Sequence, residues 1–399
     1  MSTGITCGFV CAAPPPSGRR EQIVKEFATH TAELLALRDW LKALGVTPIA
    51  LESTGVYWKP IYYILESEFQ VLLVNPAHFK NVPGKKTDTE DCCWLAQLLE
   101  CGLLKASFIP PPAIRDLRDL TRYRKTRVEE RGRQVQRLHA VLQDAGIKLS
   151  SVATDIMGVS GRAMIDLLVK GCTDPQALAD LARGRLKAKL PALRQALQGR
   201  FTPHHAFLVS EILALVDYLE EALGRLTEEV GKQLPPFEEA VTRLKTIPGV
   251  QQRTAEVMIS EFGVDMKKFP TPGNLGSWSG LCPGQRITGG RRKPTPCRHG
   301  NQWLRSALVE AAWAAVKTRD TYLSAQYHRL VPHRGKKKAI VGVAHSMIEI
   351  AHILLARQVN YQDLGGDYFL RLNQKQVQHR CVRQLERSGY HVTLIPKAA

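Results

Sequence analysis

The sequence lacks several features that would assign it to common protein classes. None of its nine cysteines forms a CxxC pair and their number is odd, so reduced thiols are expected rather than a disulfide framework or a zinc site. No secretory signal is visible, and the longest apolar stretch, residues 339–356, is interrupted by His345, Glu349 and His352. A membrane span needs about 20 mostly apolar residues, so this stretch predicts a buried helix and no membrane partner.

Acidic residues are also scarce after residue 110. The 399 residues include 55 Lys or Arg and 37 Asp or Glu, which gives a formal net charge of +18. Residues 1–110 hold 10 basic and 11 acidic residues, whereas residues 111–399 hold 45 and 26. A positive excess confined to one region favours a polyanionic partner, most commonly nucleic acid, over a merely soluble basic surface.

The hydrophobic pattern of residues 1–110 predicts an α/β domain. Residues 4–11 and 22–27 indicate a strand hairpin around a Pro-rich turn, and residues 48–54 and 70–75 indicate short buried strands. Helical periodicity is found in residues 31–44, 56–65 and 88–99. Because helices alternate with strands, we expect a mainly parallel, layered sheet.

The rest of the chain is predicted to be mostly helical. Residues 111–240 indicate a basic helical or coiled-coil linker, residues 241–365 a C-terminal domain, and residues 366–399 a basic tail. The stretch 244–262 resembles half of a helix-hairpin-helix, whose Gly turn presents backbone N–H groups to phosphate. A helix–turn–helix that merely packs fits this stretch almost as well.

An arginine-rich helix is predicted over residues 113–145. Guanidinium groups match phosphate oxygens well, so we favour contact with a phosphate backbone over a plain soluble connector. The candidate nucleic-acid ligands on this helix are Arg115, Arg118, Arg122, Arg124, Arg127 and Arg131.

Three acidic residues form a candidate metal site. Glu52 ends a predicted strand, while Asp88 and Asp91 lie three residues apart at the start of a predicted helix and share one face. Carboxylate oxygens suit Mg²⁺ or Mn²⁺, and two such ions about 3.5–4 Å apart can activate a nucleophile and stabilise the leaving oxygen in phosphodiester cleavage. The alternative is that these acids cap a helix or lie on the surface.

A second cluster of cations lies among Gly and Pro turns in residues 277–305, ahead of a predicted helix. Such a loop is a good surface for approaching phosphate. Thr288 stands among these cations, and its hydroxyl could attack a phosphodiester if a base or metal activates it; the alternative is an ordinary turn threonine. The candidate nucleic-acid ligands here are Arg286, Arg291, Arg292, Lys293, Arg298 and Arg305.

Five motifs, taken together and in order, carry a family resemblance over nearly the whole chain. They are ALESTGVYWKP, VNPAHFKNVPGKKTDTEDCCWLAQLL, IPGVQQRTAEVMISEFG, GSWSGLCPG and GNQWLRSALVEAAWAA. With these motifs the chain resembles the insertion-sequence family "one-ten", the DEDD transposases guided by a bridge RNA. The resemblance implies an RNase H-like (RuvC-like) N-terminal domain with four metal-binding acids and a long helical linker. It also implies a C-terminal transposase domain whose serine attacks DNA in a composite site with those acids.

The resemblance assigns roles to particular residues. Glu52, Asp88 and Asp91 match the second, third and fourth acids, and Thr288 stands at the position of the nucleophilic serine. The family's first Asp has no counterpart, since no acid precedes Glu21. We therefore expect that the first strand of the domain is missing, through truncation or a late start codon. A less stable N-terminal domain should follow, because that strand would be central in the sheet.

The resemblance thus implies a prokaryotic, cytoplasmic recombinase that binds donor and target DNA, a structured guide RNA and Mg²⁺ or Mn²⁺. A dimer or tetramer is expected because recombination exchanges strands between two duplexes. Two alternatives stay open. One is an impaired, truncated copy that only binds DNA or RNA. The other is a Holliday-junction-type nuclease, which uses the same acids but needs no C-terminal hydroxyl.

Overall fold

The computed structural model describes residues 6–13, 21–53, 55–76, 88–284, 287–293, 295–372 and 374–394. The chain divides into two compact units, Met1–Ile109 and Pro110–Ala399. The further boundaries predicted at residues 240 and 365 stay predictions.

The first unit alternates strands and helices. Its elements are β1 (Thr6–Ala13), β2 (Glu21–Ala28), α1 (Thr31–Ala43), β3 (Pro48–Glu52), α2 (Trp58–Leu65), β4 (Gln70–Val74) and α3 (Asp88–Glu100). β1 and β2 pair antiparallel, as the predicted hairpin requires, and β3 and β4 pair parallel.

The four described strands of the first unit form two separate pairs, which corrects the prediction of one mainly parallel sheet. Connection length explains the direction of pairing within each pair, whereas contacts between distant segments decide whether the two pairs join into one sheet. Only residues 14–20 join β1 to β2, and a parallel crossover needs a dozen residues or more. Residues 53–69, which include α2, join β3 to β4 and are long enough for a parallel connection.

A leucine-rich face of α1 forms the core of the first unit. Leu34, Leu37 and Leu41 recur at helical spacing and are at most 4% exposed, and they pack with side chains of α2, β3 and β4. The backbone N–H of Ser53, just after β3, donates to the Val74 carbonyl at 2.9 Å. Helix α3 lies against β1 and β3. The carboxyl end of β3 is therefore held by β4, and α3 packs against the same strand.

The second unit, in its described part, is helical apart from one small hairpin and short 3₁₀ turns. Its elements are α4 (Pro112–Asp144), α5 (Val159–Val169), α6 (Pro175–Ala179), α7 (Leu190–Ala196), α8 (Pro203–Gln233), α9 (Glu238–Lys245), α10 (Gln252–Phe262), α11 (Pro272–Trp278), β5 (Ile287–Thr288), β6 (Arg291–Arg292), α12 (Gln302–Ala315), α13 (Tyr322–Arg334), α14 (Lys336–Arg357), α15 (Tyr368–Leu372) and α16 (Gln374–Arg387).

Helices α4 and α8 form a long antiparallel pair. Asp144 at the end of α4 contacts His205 near the start of α8 at 3.0 Å, and Arg131 reaches Glu220 farther along at 2.8 Å. Helices α5, α6 and α7 pack at one end of the pair around a shared apolar core. The predicted long helix is thus confirmed.

Helix α14 is a core helix of the second unit. Among the described helices it is the one long and apolar enough to cross a membrane, and more than half of its apolar stretch is buried inside the protein. Val343, Ala344, Met347 and Ile348 are 0% exposed. The apolar surface is used within the fold, so this helix does not indicate a membrane protein.

The turn between α9 and α10 packs inside the second unit. Gly249 has φ +82°, and a Cβ there would come within 2.3 Å of the Ala311 carbonyl oxygen in α12. Ile247 and Val250 on either side are 1% exposed. The turn therefore faces α12, which favours the packing alternative over a helix-hairpin-helix contact with phosphate.

Candidate nucleic-acid interface and catalytic residues

Two of the predicted metal ligands lie on neighbouring elements of the first unit. Glu52 is the last residue of β3, opposite Val74 in the ladder, and its side chain is half-buried. Asp91 lies in the first turn of α3 and is also half-buried. Asp88 begins α3, and its side chain lies outside the described residues.

The donor chemistry of this acid set fits a hard divalent cation. Glu52 and Asp91 offer carboxylate oxygens, which Mg²⁺ and Mn²⁺ prefer, rather than the thiolates and imidazoles that bind zinc. In the described part of the chain, no group of three His, Cys, Asp or Glu side chains is placed to hold a metal ion. The three-carboxylate set with Asp88 stays a prediction.

The structure corrects the predicted role of two arginines on α4. Arg115 and Arg124 are only 9% and 4% exposed. Arg124 donates to Glu256 of α10 at 2.5 Å, and both side chains of this ion pair are 5% exposed. Buried guanidinium groups cannot reach a phosphate backbone. The reason is tertiary: α10 packs on α4 and supplies buried acids there.

Two further arginines of α4 belong to a buried network around Glu261. The Glu261 carboxylate is 0% exposed and accepts two hydrogen bonds from Arg122 at 2.7 Å each and one from Asn301 Nδ2 at 2.5 Å. Arg118 donates to the Glu261 carbonyl at 2.5 Å, and the Arg122 guanidinium lies 5.7 Å from the Trp303 ring centroid. Arg118 and Arg122 therefore have a structural role within the unit, and their contact with a phosphate backbone stays a prediction.

The remaining arginine candidates of α4 lie nearer the surface. Arg127 donates to Glu130 at 2.5 Å and also bonds Tyr123, and these two hydrogen bonds raise the pKa of Arg127. Arg131 pairs with Glu220, and its side chain is 32% exposed. Contact of Arg127 and Arg131 with nucleic acid stays a prediction.

The described residues of the basic loop after α11 form a two-stranded ribbon. We call this segment, residues 281–298, the basic ribbon; residues 285, 286 and 294 lie outside the described residues. At its tip β5 and β6 pair antiparallel, with Thr288 opposite Arg291. Gly289 and Gly290 connect the two strands with φ values of +55° and +72°. Positive φ at both central positions is typical of a type I′ turn, which glycine adopts without steric cost. Thr288 is thus a strand residue beside a tight turn rather than part of a loose loop.

The base of the basic ribbon is also paired. The Gly284 N–H donates to the Pro296 carbonyl at 2.9 Å, and the Arg298 N–H donates to the Cys282 carbonyl at 3.2 Å. A Cβ on Gly280, just before the ribbon, would lie 3.0 Å from the Arg298 carbonyl oxygen. The two strands therefore leave the helical body side by side.

A thiol–imidazole contact joins the ribbon base to α14. Cys282 Sγ lies 3.2 Å from His345 Nε2, and His345 Nδ1 lies 3.5 Å from a Glu349 carboxylate oxygen. Burial, with the nearby Glu349 charge, raises the pKa of the Cys282 thiol. The thiol is therefore protonated at neutral pH. Sequence alone could not identify this contact, because 63 residues separate its partners.

The basic ribbon and the start of α12 present cations to solvent. Thr288 is exposed among them, as its predicted position on the loop requires. The exposed cationic candidates are Arg291, Lys293, Arg298 and Arg305. Arg286 and the side chain of Arg292 lie outside the described residues. Contact of these groups with nucleic acid stays a prediction.

The match to transposases covers both regions that hold the candidate residues. A family model described as "Transposase" matches residues 10–147, and one described as "Transposase IS116/IS110/IS902 family" matches residues 241–329. The chain is similar to the "Probable family 20 transposase" of Pseudomonas aeruginosa, with 22% identity over 351 residues that cover 86% of this chain and 93% of that protein. It is also similar to the "Transposase for insertion sequence element IS1328" of Yersinia enterocolitica, with 25% identity over 285 residues, which cover 70% and 73% of the two chains. The chain belongs to the IS110 family of transposases.

Proposed function

We propose that this transposase moves an insertion sequence by metal-assisted cleavage and transfer of DNA strands, with the Thr288 hydroxyl as the nucleophile. One observation carries the proposal: Thr288 is exposed at the tip of the basic ribbon, directly across the ladder from Arg291. The hydroxyl and a cation that can bind phosphate thus lie on the same face of one small hairpin.

We also propose that the first unit is RNase H-like and that Glu52, Asp88 and Asp91 hold Mg²⁺ or Mn²⁺. The half-buried carboxylates of Glu52 and Asp91, on the adjoining elements β3 and α3, support this assignment. When bound, the divalent ion supplies activation of the nucleophile and neutralisation of charge on the phosphate.

The proposed step replaces one phosphodiester by another, so the number of ester bonds to phosphorus does not change. The Thr288 hydroxyl oxygen bonds to phosphorus, and the bond from phosphorus to a deoxyribose oxygen breaks. The hydroxyl loses its proton and the leaving oxygen takes one up, so the DNA strand becomes covalently linked to the protein. The β-methyl group of Thr288 crowds this attack, and a serine at the same position should react faster.

The proposed partners follow from strand exchange. A structured guide RNA would specify donor and target DNA by base pairing, so the protein needs contacts to phosphate more than contacts to base edges. The exposed cations Arg291, Lys293, Arg298 and Arg305 suit that task. Two duplexes must be held at once, which favours a dimer or tetramer as the working assembly.

The test is a supercoiled-plasmid assay with the element's own ends, its flanking non-coding RNA and Mg²⁺. Covalent protein–DNA adducts are trapped by denaturation. The wild type should form an adduct, Thr288→Ser should form it faster, and Asp88→Ala and Thr288→Ala should form none. Glu90→Ala is the matched control, since Glu90 is an exposed acid in the same turn of α3, and this variant should keep the adduct.

Three results would contradict the proposal. An adduct that survives in Thr288→Ala would show that another side chain is the nucleophile. DNA cleavage that needs Asp88 but passes through no adduct would indicate a nuclease of the Holliday-junction type. If Asp88→Ala and Glu90→Ala cleave DNA at equal rates, the assignment of Asp88 as a metal ligand would be contradicted.

A further inference from the structure

The basic ribbon carries positive charge that no acid within the segment neutralises. Residues 281–298 contain five cationic side chains and no acid. The α4 arginines, in contrast, are paired with acids such as Glu256, Glu261 and Glu220. A cationic segment with no acid of its own attracts a polyanionic binding partner.

The tip of the basic ribbon is exposed on both faces. Residues directly opposite each other in an antiparallel pair point to the same face, so Thr288 and Arg291 share one face. Ile287 points to the other face and is 66% exposed. A Cβ built on Gly289 or Gly290 would meet no atom within 4 Å. No described part of the unit covers the tip, which leaves it accessible to a partner.

The base of the basic ribbon, in contrast, is anchored. Backbone hydrogen bonds join Cys282 to Arg298 and Gly284 to Pro296, and the thiol–imidazole contact ties Cys282 to His345 of α14. The described residues of the base are thus fixed to the helical body, and a tight turn closes the tip. A paired hairpin of this kind needs less ordering on binding than an open loop.

We propose that the basic ribbon is a β-arm that docks in the major groove of duplex DNA, with the face that carries Thr288 and Arg291 turned to the phosphates along the groove wall. This inference rests on the proposed function, in that DNA is the substrate, and it adds the form of DNA and the groove. The major groove of B-form DNA is about 12 Å wide and admits a two-stranded ribbon, whereas the minor groove is only about 6 Å wide. The major groove of A-form RNA is too narrow for side chains to read. The shape of the arm therefore matches duplex DNA better than duplex RNA.

The test measures binding of the full chain without any cleavage step. Fluorescence anisotropy compares three probes: a DNA duplex from the flanks of the element, the same duplex with glucosylated 5-hydroxymethylcytosine, and an RNA duplex of the same sequence. Glucosyl groups fill the major groove and leave the minor groove open. We expect the glucosylated duplex to bind roughly tenfold more weakly than unmodified DNA. Changes in the basic ribbon should lower the affinity for duplex DNA more than the affinity for the RNA duplex.

Two double variants locate the effect. Arg291→Ala with Lys293→Ala should bind unmodified and glucosylated DNA equally weakly. The slope of log affinity against log salt should fall by about 0.9 for each phosphate that this variant no longer binds. The matched control is Lys317→Ala with Arg319→Ala, which removes the same charge from an exposed turn between α12 and α13. This control should keep the preference for unmodified DNA.

Several outcomes would overturn the inference. They are equal binding of unmodified and glucosylated DNA by the wild type, a preference for unmodified DNA that survives in Arg291→Ala with Lys293→Ala, and loss of the preference in the control variant. These outcomes differ from a failure of the proposed function. If the protein forms the covalent adduct but its DNA affinity does not change with glucosylation, only the β-arm is rejected. If glucosylation lowers the affinity but no adduct forms, only the role of Thr288 as the nucleophile is rejected.

Discussion

Removing the Glu261 carboxylate should destabilise the second unit far more than removing an exposed acid. In Glu261→Ala, Arg122 loses two hydrogen bonds of 2.7 Å and Asn301 loses one of 2.5 Å. Arg118 also loses an ionic neighbour at 3.4 Å. The side chains of Arg118 and Arg122 are 14% and 33% exposed, so their charges stay largely inside without a counter-charge.

The size of the effect follows from burial. Breaking a buried ion pair by removing one partner costs about 3–5 kcal/mol of unfolding free energy. Water can partly solvate Arg122, which places the expected loss at the lower end, about 3 kcal/mol. For a domain of this size each kcal/mol lowers the melting temperature by roughly 2–4 °C. The predicted drop is therefore roughly 6–12 °C.

The assay is thermal unfolding of the full chain, with hydrogen exchange read on peptides from α10 and α12. Peptide resolution is needed because the two units need not unfold together. The control is Glu310→Ala, which breaks the pair with Lys125 at 2.8 Å, where Glu310 is 65% exposed. An exposed pair contributes about 1 kcal/mol or less. Equal melting temperatures for Glu261→Ala and Glu310→Ala would refute the reasoning.

Arg122→Ala separates the structural role from the phosphate contact predicted from sequence. If Arg122 serves the network, the variant lowers the melting temperature and increases exchange in α10 and α12. If the variant keeps wild-type stability but loses affinity for DNA, the result would support the predicted phosphate contact and contradict the structural role described for this side chain.

Three further predictions concern other parts of the second unit. Gly249→Ala should reduce stability by several kcal/mol more than Gly263→Ala in thermal unfolding, since both have positive φ but only at Gly249 would the Cβ collide with α12. Arg162 holds the pKa of Asp217 below its usual value. The α5–α8 contact should therefore be fully stable above about pH 4 and weaken as the pH falls through the lowered pKa of the folded state. Asp217→Asn should remove this pH dependence, as measured by hydrogen exchange of α5. Gly290→Val should lower DNA affinity with unchanged melting temperature, because φ +72° disfavours a β-branched residue at the ribbon turn.

Sequence patterns located most elements because their signals are local. The leucines of α1 recur at helical spacing, and the long helix over residues 113–145 is found as α4, Pro112–Asp144. The hairpin of β1 and β2 and the parallel pairing of β3 with β4 follow from connection lengths. The division of the strands into two pairs was not predicted, because the pairing of edges is decided by contacts between distant segments.

The candidate catalytic residues are also local signals. Glu52 at a strand end, Asp91 in a helical first turn and Thr288 in a Gly-rich basic turn can be recognised from their neighbours in sequence, and the structure places them on β3, α3 and β5. The family, likewise, follows from motifs in order along the chain.

The roles of the α4 arginines were decided by tertiary structure. An arginine has the same local pattern whether it faces solvent or a buried carboxylate, and the acids that bind Arg118, Arg122 and Arg124 come from α10, more than 130 positions away. A buried charge must be paired, and only the packing of α10 on α4 determines which charges are buried. The sequence alone thus determined the family, the helices and the supply of cations. The fold decided which cations stabilise the protein and which ones, on the basic ribbon, remain exposed to a partner.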